Sequence, residues 1–266
     1  MAKVSLVLGG GGARGAAHVG ATKALQERGV APELVVGVSV GALVGAVLCA
    51  FSFSEAMERL QTASGKAKLA MARRNPSSPY LQSRQIFSTP FKRRVLENEL
   101  GLAGIRFCDL HTPFFLTAVA LPDFRRVTIG GTESQSNLVD GLLASSAVRW
   151  PYSWNGKLFL DGGIAGNLPA RIAQEKGSDC IFAVNLGFLF KRCTGWEQYL
   201  PWKIIDYWGK QMVDRELRAT RLAGAQVYEI YSPRVEAFSV YDFSAPEELQ
   251  EEGYEACCRI LEKAGR

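Results

Sequence analysis

Histidine is almost missing from this chain: His18 and His111 are two of 266 residues. A catalytic triad in the usual chain order needs an acid and then a histidine well after the nucleophile, which leaves His111 as the single downstream candidate. Metal ligands are equally scarce. The six cysteines, at positions 49, 108, 180, 193, 257 and 258, form no CxxC pair and have no neighbouring histidine set, which excludes the familiar zinc arrangements. Reduced thiols, no metal and no cofactor are the expectation. Charge of one sign is not in excess either: 31 basic against 26 acidic residues give +5, too little to argue for a nucleic-acid partner. A charged start, a long apolar run and a small-residue cleavage site are absent from the N-terminus, so a cytoplasmic home is expected.

Long apolar runs are nearly absent too, and the exception is instructive. Residues 34–54 carry no charge, and Gly37, Gly41 and Gly45 repeat every four positions, like a small-residue packing face of a membrane helix. The stretch nevertheless divides into a β-branched run, a Gly-Val-Ser-Val-Gly knot and about three helical turns of Ala, Leu and Val. That is strand, turn and helix.

What the chain has instead is glycine, 27 residues, within a composition of 47% hydrophobic and 21% charged residues that is ordinary for a globular protein. The apolar run at 4–8 ends in four glycines, and 14–28 then reads as a helix with Gly29 beyond its end. A strand at 33–37 and a buried helix at 40–50 repeat the pattern, and Ser54 reads as the cap of a further helix. Two βα units in succession imply a parallel sheet. Further strands are expected at 114–120, 125–129, 158–160, 180–186 and 227–231, with a hairpin at Asn155-Gly156. Helices are expected at 90–101, 137–144, 169–176 and 245–263, and one or two at 196–222, broken near Pro201. Residues 64–90 lose periodicity and read as a long loop or lid. The aromatic group Trp196, Tyr199, Trp202, Tyr207 and Trp208 has helical spacing and reads as core.

Three constellations could carry chemistry. Gly10-x-Gly12-x-x-Gly15 follows a strand and opens a helix, the local context of a dinucleotide fingerprint. A nucleotide- or dinucleotide-binding module is therefore the rival reading. Against it, the second strand ends in Val36-Gly37 where a ribose-binding acid belongs, and no Lys-Ser/Thr pair follows the glycines. What survives is a group of bare amides at a helix N-terminus, suited to a phosphate or an oxyanion. Gly37-Val38-Ser39-Val40-Gly41 is GxSxG between strand and helix, which stands Ser39 on a sharp turn at the carboxyl end of the sheet. Asp161-Gly162-Gly163 closes a strand with a glycine turn. With histidine so scarce, a carboxylate is the expected base if Ser39 is a nucleophile.

Together these blocks resemble the patatin-like phospholipase family. Gly9 to Gly15 is similar to its oxyanion block, Gly37 to Gly41 to its nucleophile elbow, and Asp161-Gly162-Gly163 to its catalytic-aspartate block. Ala144-Ser145-Ser146-Ala147, Asn167-Leu168-Pro169 and Asp242-Phe243-Ser244 resemble lesser blocks in the same order. Val148-Arg149-Trp150-Pro151 departs from the family's Ile-Pro and Pro-rich link, which leaves one wall of the acyl pocket undefined.

The resemblance implies one α/β domain over residues 1–266, a three-layer sandwich whose mainly parallel sheet has helices on both faces. It implies a Ser39–Asp161 dyad cleaving carboxylic esters of phospholipids or related lipids through an acyl-enzyme. Gly10, Gly11, Gly12, Arg14 and Gly15 would form the oxyanion block, with Arg14 either steadying the loop or touching a phosphate, and Gly37 and Gly41 would form the elbow. Residues 59–96 hold nine Lys/Arg and no Asp/Glu. That window reads as a basic, lid-like insertion able to meet an anionic membrane surface or to stay a solvated loop.

Overall fold

The computed structural model describes residues 3–72, 88–187 and 200–265. In chain order its strands are β1 (Val4–Leu8), β2 (Leu34–Val38), β3 (Phe114–Leu121), β4 (Arg125–Gly130), β5 (Tyr152–Trp154), β6 (Lys157–Asp161), β7 (Cys180–Asn185) and β8 (Gln226–Tyr231). They form one sheet in the order β5-β6-β3-β2-β1-β7-β8, with β4 pairing β3 as well. Pairings among β3, β2, β1, β7 and β8 are parallel, and β4, β5 and β6 join antiparallel. The apolar runs of β1, β2 and β7 are explained by helices on both faces. Alternation sends Leu6 and Leu8 into one core and Val7 into the other.

The larger core lies under α1 (Ala16–Glu27), α2 (Val40–Ala50), α3 (Phe53–Ala72) and α9 (Pro246–Lys263). The smaller lies under α6 (Ala170–Glu175) and α7 (Leu200–Leu222). Between these run α4 (Thr89–Arg94), continued by a π-helical turn at Val95–Glu99, α5 (Leu138–Ser145) and the short α8 (Pro233–Ala237). The expected three-layer α/β architecture is present. Among the described residues, no helix is long and apolar enough to cross a membrane.

Several local expectations need correction. The cap before α3 is Ser52, whose Oγ accepts from the Glu55 N–H at 3.4 Å, rather than Ser54. α3 continues to Ala72, so 64–72 is helix and not lid: its alanines and lysines favour helix strongly enough to carry Gly65. Residues 73–87 of that window lie outside the described part, and 88–90 are the cap and start of α4. α7 is unbroken from Leu200 because Pro201 sits at its start, where no intrahelical N–H is needed. Tyr207 and Trp208 are exposed on the outer side of α7, while Val213 and Leu217 face the core. Trp196 and Tyr199 lie outside the described residues.

α1 and α9 cross with their backbones in direct contact. A Cβ on Gly20 would collide with the Gln250 carbonyl, and one on Gly253 with the Ala17 carbonyl. Gly253→Ala is therefore expected to destabilise the fold by about 2 kcal/mol, within the range for overpacking a rigid contact. In a chain of this size that is a fall in melting temperature of roughly 5 °C, readable by thermal denaturation. Gly29→Ala is the contrast: its φ is +70° but nothing lies within 4 Å, so only backbone strain opposes it.

Candidate active site

The site follows from sheet register. β4 occupies one edge of β3 continuously from Phe115 to Ala120, so β2 and β6 must share the other. β2 ends with Val38 opposite Thr117, and β6, running the opposite way, ends with Asp161 opposite Ala118. The two strands meet head-on at adjacent register positions. Ser39, the next residue of β2, and Asp161 are thereby brought together from segments far apart in the chain.

Ser39 occupies φ 54°, ψ −123° at the N-terminus of α2. A non-glycine residue in that region stores about 1–3 kcal/mol of strain. The turn holds because its surroundings fix it: the Ser39 N–H donates to Ser145 Oγ at 3.0 Å, and the Ser39 carbonyl accepts from Leu43 N–H at 3.1 Å. Gly37 and Gly41 are required for approach, since a Cβ on either would strike the backbone of Ala42 or of Leu8 and Gly9.

Asp161 is buried. Its Oδ1 accepts from the Gly163 N–H at 2.8 Å, and its backbone N–H donates to the Ala147 carbonyl at 3.1 Å. Oδ2 is buried and makes no hydrogen bond of ordinary geometry. Burial pushes the carboxyl above the usual carboxylate range, opposed in order by the Ser39 hydroxyl, the Gly163 N–H and the charge of Lys92. The Ser39 hydroxyl thus lies near enough to favour the ionised carboxylate while still short of a formed bond, the loose arrangement common in unliganded sites.

The glycine loop is clamped from both sides. Asn167 accepts the Gly10 N–H through its carbonyl at 3.2 Å and donates Nδ2 to the Gly10 carbonyl at 3.0 Å. Ala13 N–H donates to Val240 O at 2.9 Å, and Arg14 N–H to Gly11 O at 3.2 Å. Among the described residues, this leaves the amides of Gly11 and Gly12 without a protein acceptor. A Cβ on Gly10 would stand 3.4 Å from Ser39 Cβ, so the loop abuts the serine. Gly15 packs against Val40. The Arg14 side chain is fully buried, with Nε on Phe238 O at 2.8 Å and Nη1 on Leu186 O at 3.1 Å. It braces the loop.

Neither histidine competes for the role of base. His18 donates Nε2–H to the Gly9 carbonyl at 2.8 Å, and burial brings it down to about 4, so it is neutral. His111 is exposed, and its N–H is bound to Cys49 O at the far end of α2. That end is about 15 Å along the helix from Ser39.

A cavity of about 340 Å³ opens beside Ser39, Gly12 and Gly15. Ala16 and Val19 of α1, Leu43 and Val44 of α2, Leu60 of α3, Leu96 and Leu249 make it apolar, and Lys66, Arg94 and Glu99 edge it. The departure noted at Val148 falls on this cavity wall. Of the basic window, Arg59 is paired with Glu55, Lys66 with Glu99, Lys68 with Glu247 and Arg93 with Glu97 and Asp140. Four of its six described cations are thus answered by carboxylates. Arg73, Arg74, Tyr80, Arg84 and Phe87 lie outside the described residues. Sequence reasoning gave Ser145 and Asn167 only as members of lesser blocks, and it left Lys92, whose Nζ reaches Ser146, as one cation in a run.

A strand-end serine and aspartate thus lie together with glycine amides and an apolar cavity. The family model described as patatin-like phospholipase matches residues 6–173, and the chain belongs to that family. Mouse "Patatin-like phospholipase domain-containing protein 6" is 25% identical over 281 residues, covering 95% of this chain and 20% of that protein. "Neuropathy target esterase sws" of Drosophila melanogaster is 34% identical over 194 residues, covering 69% and 13%. "Lysophospholipase NTE1" of Mycosarcoma maydis is 24% identical over 290 residues, covering 97% and 15%. The chain therefore spans a fifth or less of these relatives' lengths. VipD from Legionella pneumophila shares the fold, with a TM-score of 0.53 at 13% identity, covering 98% of this chain and 66% of that one.

Proposed function

We propose that this chain is a serine acyl hydrolase that cleaves carboxylic ester bonds of phospholipids, lysophospholipids or related lipid esters, with Ser39 as nucleophile and Asp161 as general base. The observation that carries the reading is the head-on meeting of β2 and β6 at the mouth of an apolar cavity. Asp161 takes the Ser39 proton as Oγ attacks the ester carbonyl. The tetrahedral oxyanion is received by the amides of Gly11 and Gly12, with the N-terminus of α2 adding its dipole. Collapse expels the alcohol, which recovers the proton from Asp161. Water, deprotonated by the same carboxylate, then attacks the acyl-serine; the Oγ–acyl bond breaks, Ser39 recovers that proton from Asp161, and the fatty acid is released. Contact with an anionic bilayer belongs to this reading through Arg94 and the exposed Val148, which line the cavity, and the exposed Trp150 two residues further on. The nucleotide alternative is not favoured, because Asn167 and Val240 take the flanking amides of Gly10 and Ala13 and leave only those of Gly11 and Gly12, fewer than a pyrophosphate would need.

A fluorophosphonate probe is expected to label the wild-type chain at Ser39 and to leave Ser39→Ala unlabelled. The purified chain is expected to release fatty acid from lysophospholipid or short nitrophenyl esters. Thermal stabilisation by NAD or ATP, with no labelling and no ester hydrolysis, would overturn the reading.

A further inference from the structure

Three consecutive cations on α4 have three different fates. Arg94 is exposed over the Phe91 ring, at 5.5 Å. Arg93 is held by Glu97 at 3.0 Å, Asp140 at 2.6 Å and Tyr152 at 2.7 Å. Lys92 turns inward and lines the cavity with Ser39, and its Nζ donates to Ser146 O at 2.5 Å and to Ser146 Oγ at 3.2 Å. Ser146 is the middle of a tripeptide whose neighbours hold both reacting groups: Ser145 Oγ accepts the Ser39 N–H, and Ala147 O accepts the Asp161 N–H. The ammonium is thus anchored on the residue between the two that hold them.

Asp161 needs such a charge. A buried carboxylate with one oxygen unpartnered favours its neutral form, and a neutral carboxyl cannot accept the serine proton. Among the described residues, the charged or titratable groups on the neighbouring elements are committed, and Arg94 is exposed over the Phe91 ring. Arg126 of β4, which faces the same turn at Gly166, is paired with Glu216 at 3.1 Å. His18 of α1 is neutral on Gly9 O. Asp140 and Tyr152 answer Arg93, and Lys66 and Glu99 answer each other.

We propose that Lys92 is a positioning residue for this reaction, its ammonium keeping the buried Asp161 carboxylate ionised and ready to accept the Ser39 proton. The basic insertion then acts through one inward lysine that sets the acid limit of activity, and not only as a surface feature. The influence is mutual: burial brings Lys92 down to about 8 while Asp161 pulls it back up, and the Lys92 charge holds Asp161 down against its own burial.

The proposal rests on the Ser39–Asp161 reading, and the test separates the two. kcat/KM for a short nitrophenyl ester is measured from pH 5 to 9 in wild type, Lys92→Gln, Lys92→Arg and Ser39→Ala, with melting temperature as the folding control. Lys92→Gln keeps a donor for Ser146 without the charge. Its acid limb is expected to move to higher pH, with a loss of roughly tenfold on that limb, as for removal of a nearby opposite charge. Above about pH 8 the Gln and wild-type profiles should converge, because wild type itself gives up the ammonium proton there. Lys92→Arg should keep the wild-type acid limb. A Gln profile parallel to wild type at every pH, or unchanged from it, makes Lys92 a tether and overturns the proposal. Full activity in Ser39→Ala overturns the underlying reading instead.

Discussion

Ser39→Ala and Asp161→Asn are each expected to lower kcat/KM for ester hydrolysis by ~10³-fold or more, and the double variant to be no worse than either single one. Residues that act as one unit are grossly non-additive, since removing either abolishes the step they share. What remains would come from substrate binding and the glycine amides. The two variants should part company in stability. A carboxyl whose native pKa is raised stabilises the fold only while protonated, and that contribution is lost as pH rises through the native value. At neutral pH the ionised Asp161 is therefore a cost to the fold, because its Oδ2 is buried without a partner. Asp161→Asn should melt at a higher temperature than wild type while being inactive, the usual exchange between stability and function at a catalytic position. Thermal melts over a descending pH series check the sign: the advantage of Asn should shrink as the wild-type carboxyl takes up its proton. A variant that melts lower at neutral pH would mean that the carboxylate is well solvated or paired.

Gly12→Ala should be the next most damaging change at the site, lowering kcat by ~10²-fold and lowering the melting temperature as well, as at Gly253. Backbone donors cannot be deleted by substitution, but they can be displaced. Gly12 sits at φ +56°, and a Cβ there would collide with the Val240 carbonyl that already receives the Ala13 N–H. The loop must shift, which moves the Gly11 and Gly12 amides off the developing oxyanion. Loss of a single such donor typically costs ~10²–10³ in turnover. Fluorophosphonate labelling of Ser39 should slow in proportion, because the phosphyl oxygen uses the same donors. Wild-type turnover in Gly12→Ala would remove these amides from the mechanism.

The parts of this site that were legible in the sequence are those in which local chemistry constrains local shape. Four glycines after an apolar run, a serine between glycines at a strand–helix junction and an aspartate before two glycines each need a particular backbone, and the residues advertise it. The order of strands and helices followed from period and from turn residues such as Asn155-Gly156. The brace around the site was not legible, because it is made by contacts across the fold. Nothing in Asn167 announces two hydrogen bonds to Gly10, and nothing in Thr-Pro-Phe-Lys-Arg-Arg says that only Lys92 turns inward. Residues 64–72 were misread because the weakening of one apolar face outweighed the helix preference of alanine and lysine. α8 is too short to show a period of its own.

The stretch matched by the family model ends at residue 173, yet the oxyanion loop is not finished there. Phe238 receives the buried Arg14 side chain, Val240 receives the Ala13 amide, and α9 lies against α1 at Gly20 and Gly253. Ser39 and Asp161 come together through β2, β3 and β6, but the glycine loop beside them takes its shape only when the segments after β7 pack against it. The shape of this loop is therefore set by contacts from residues far along the chain from both Ser39 and Asp161.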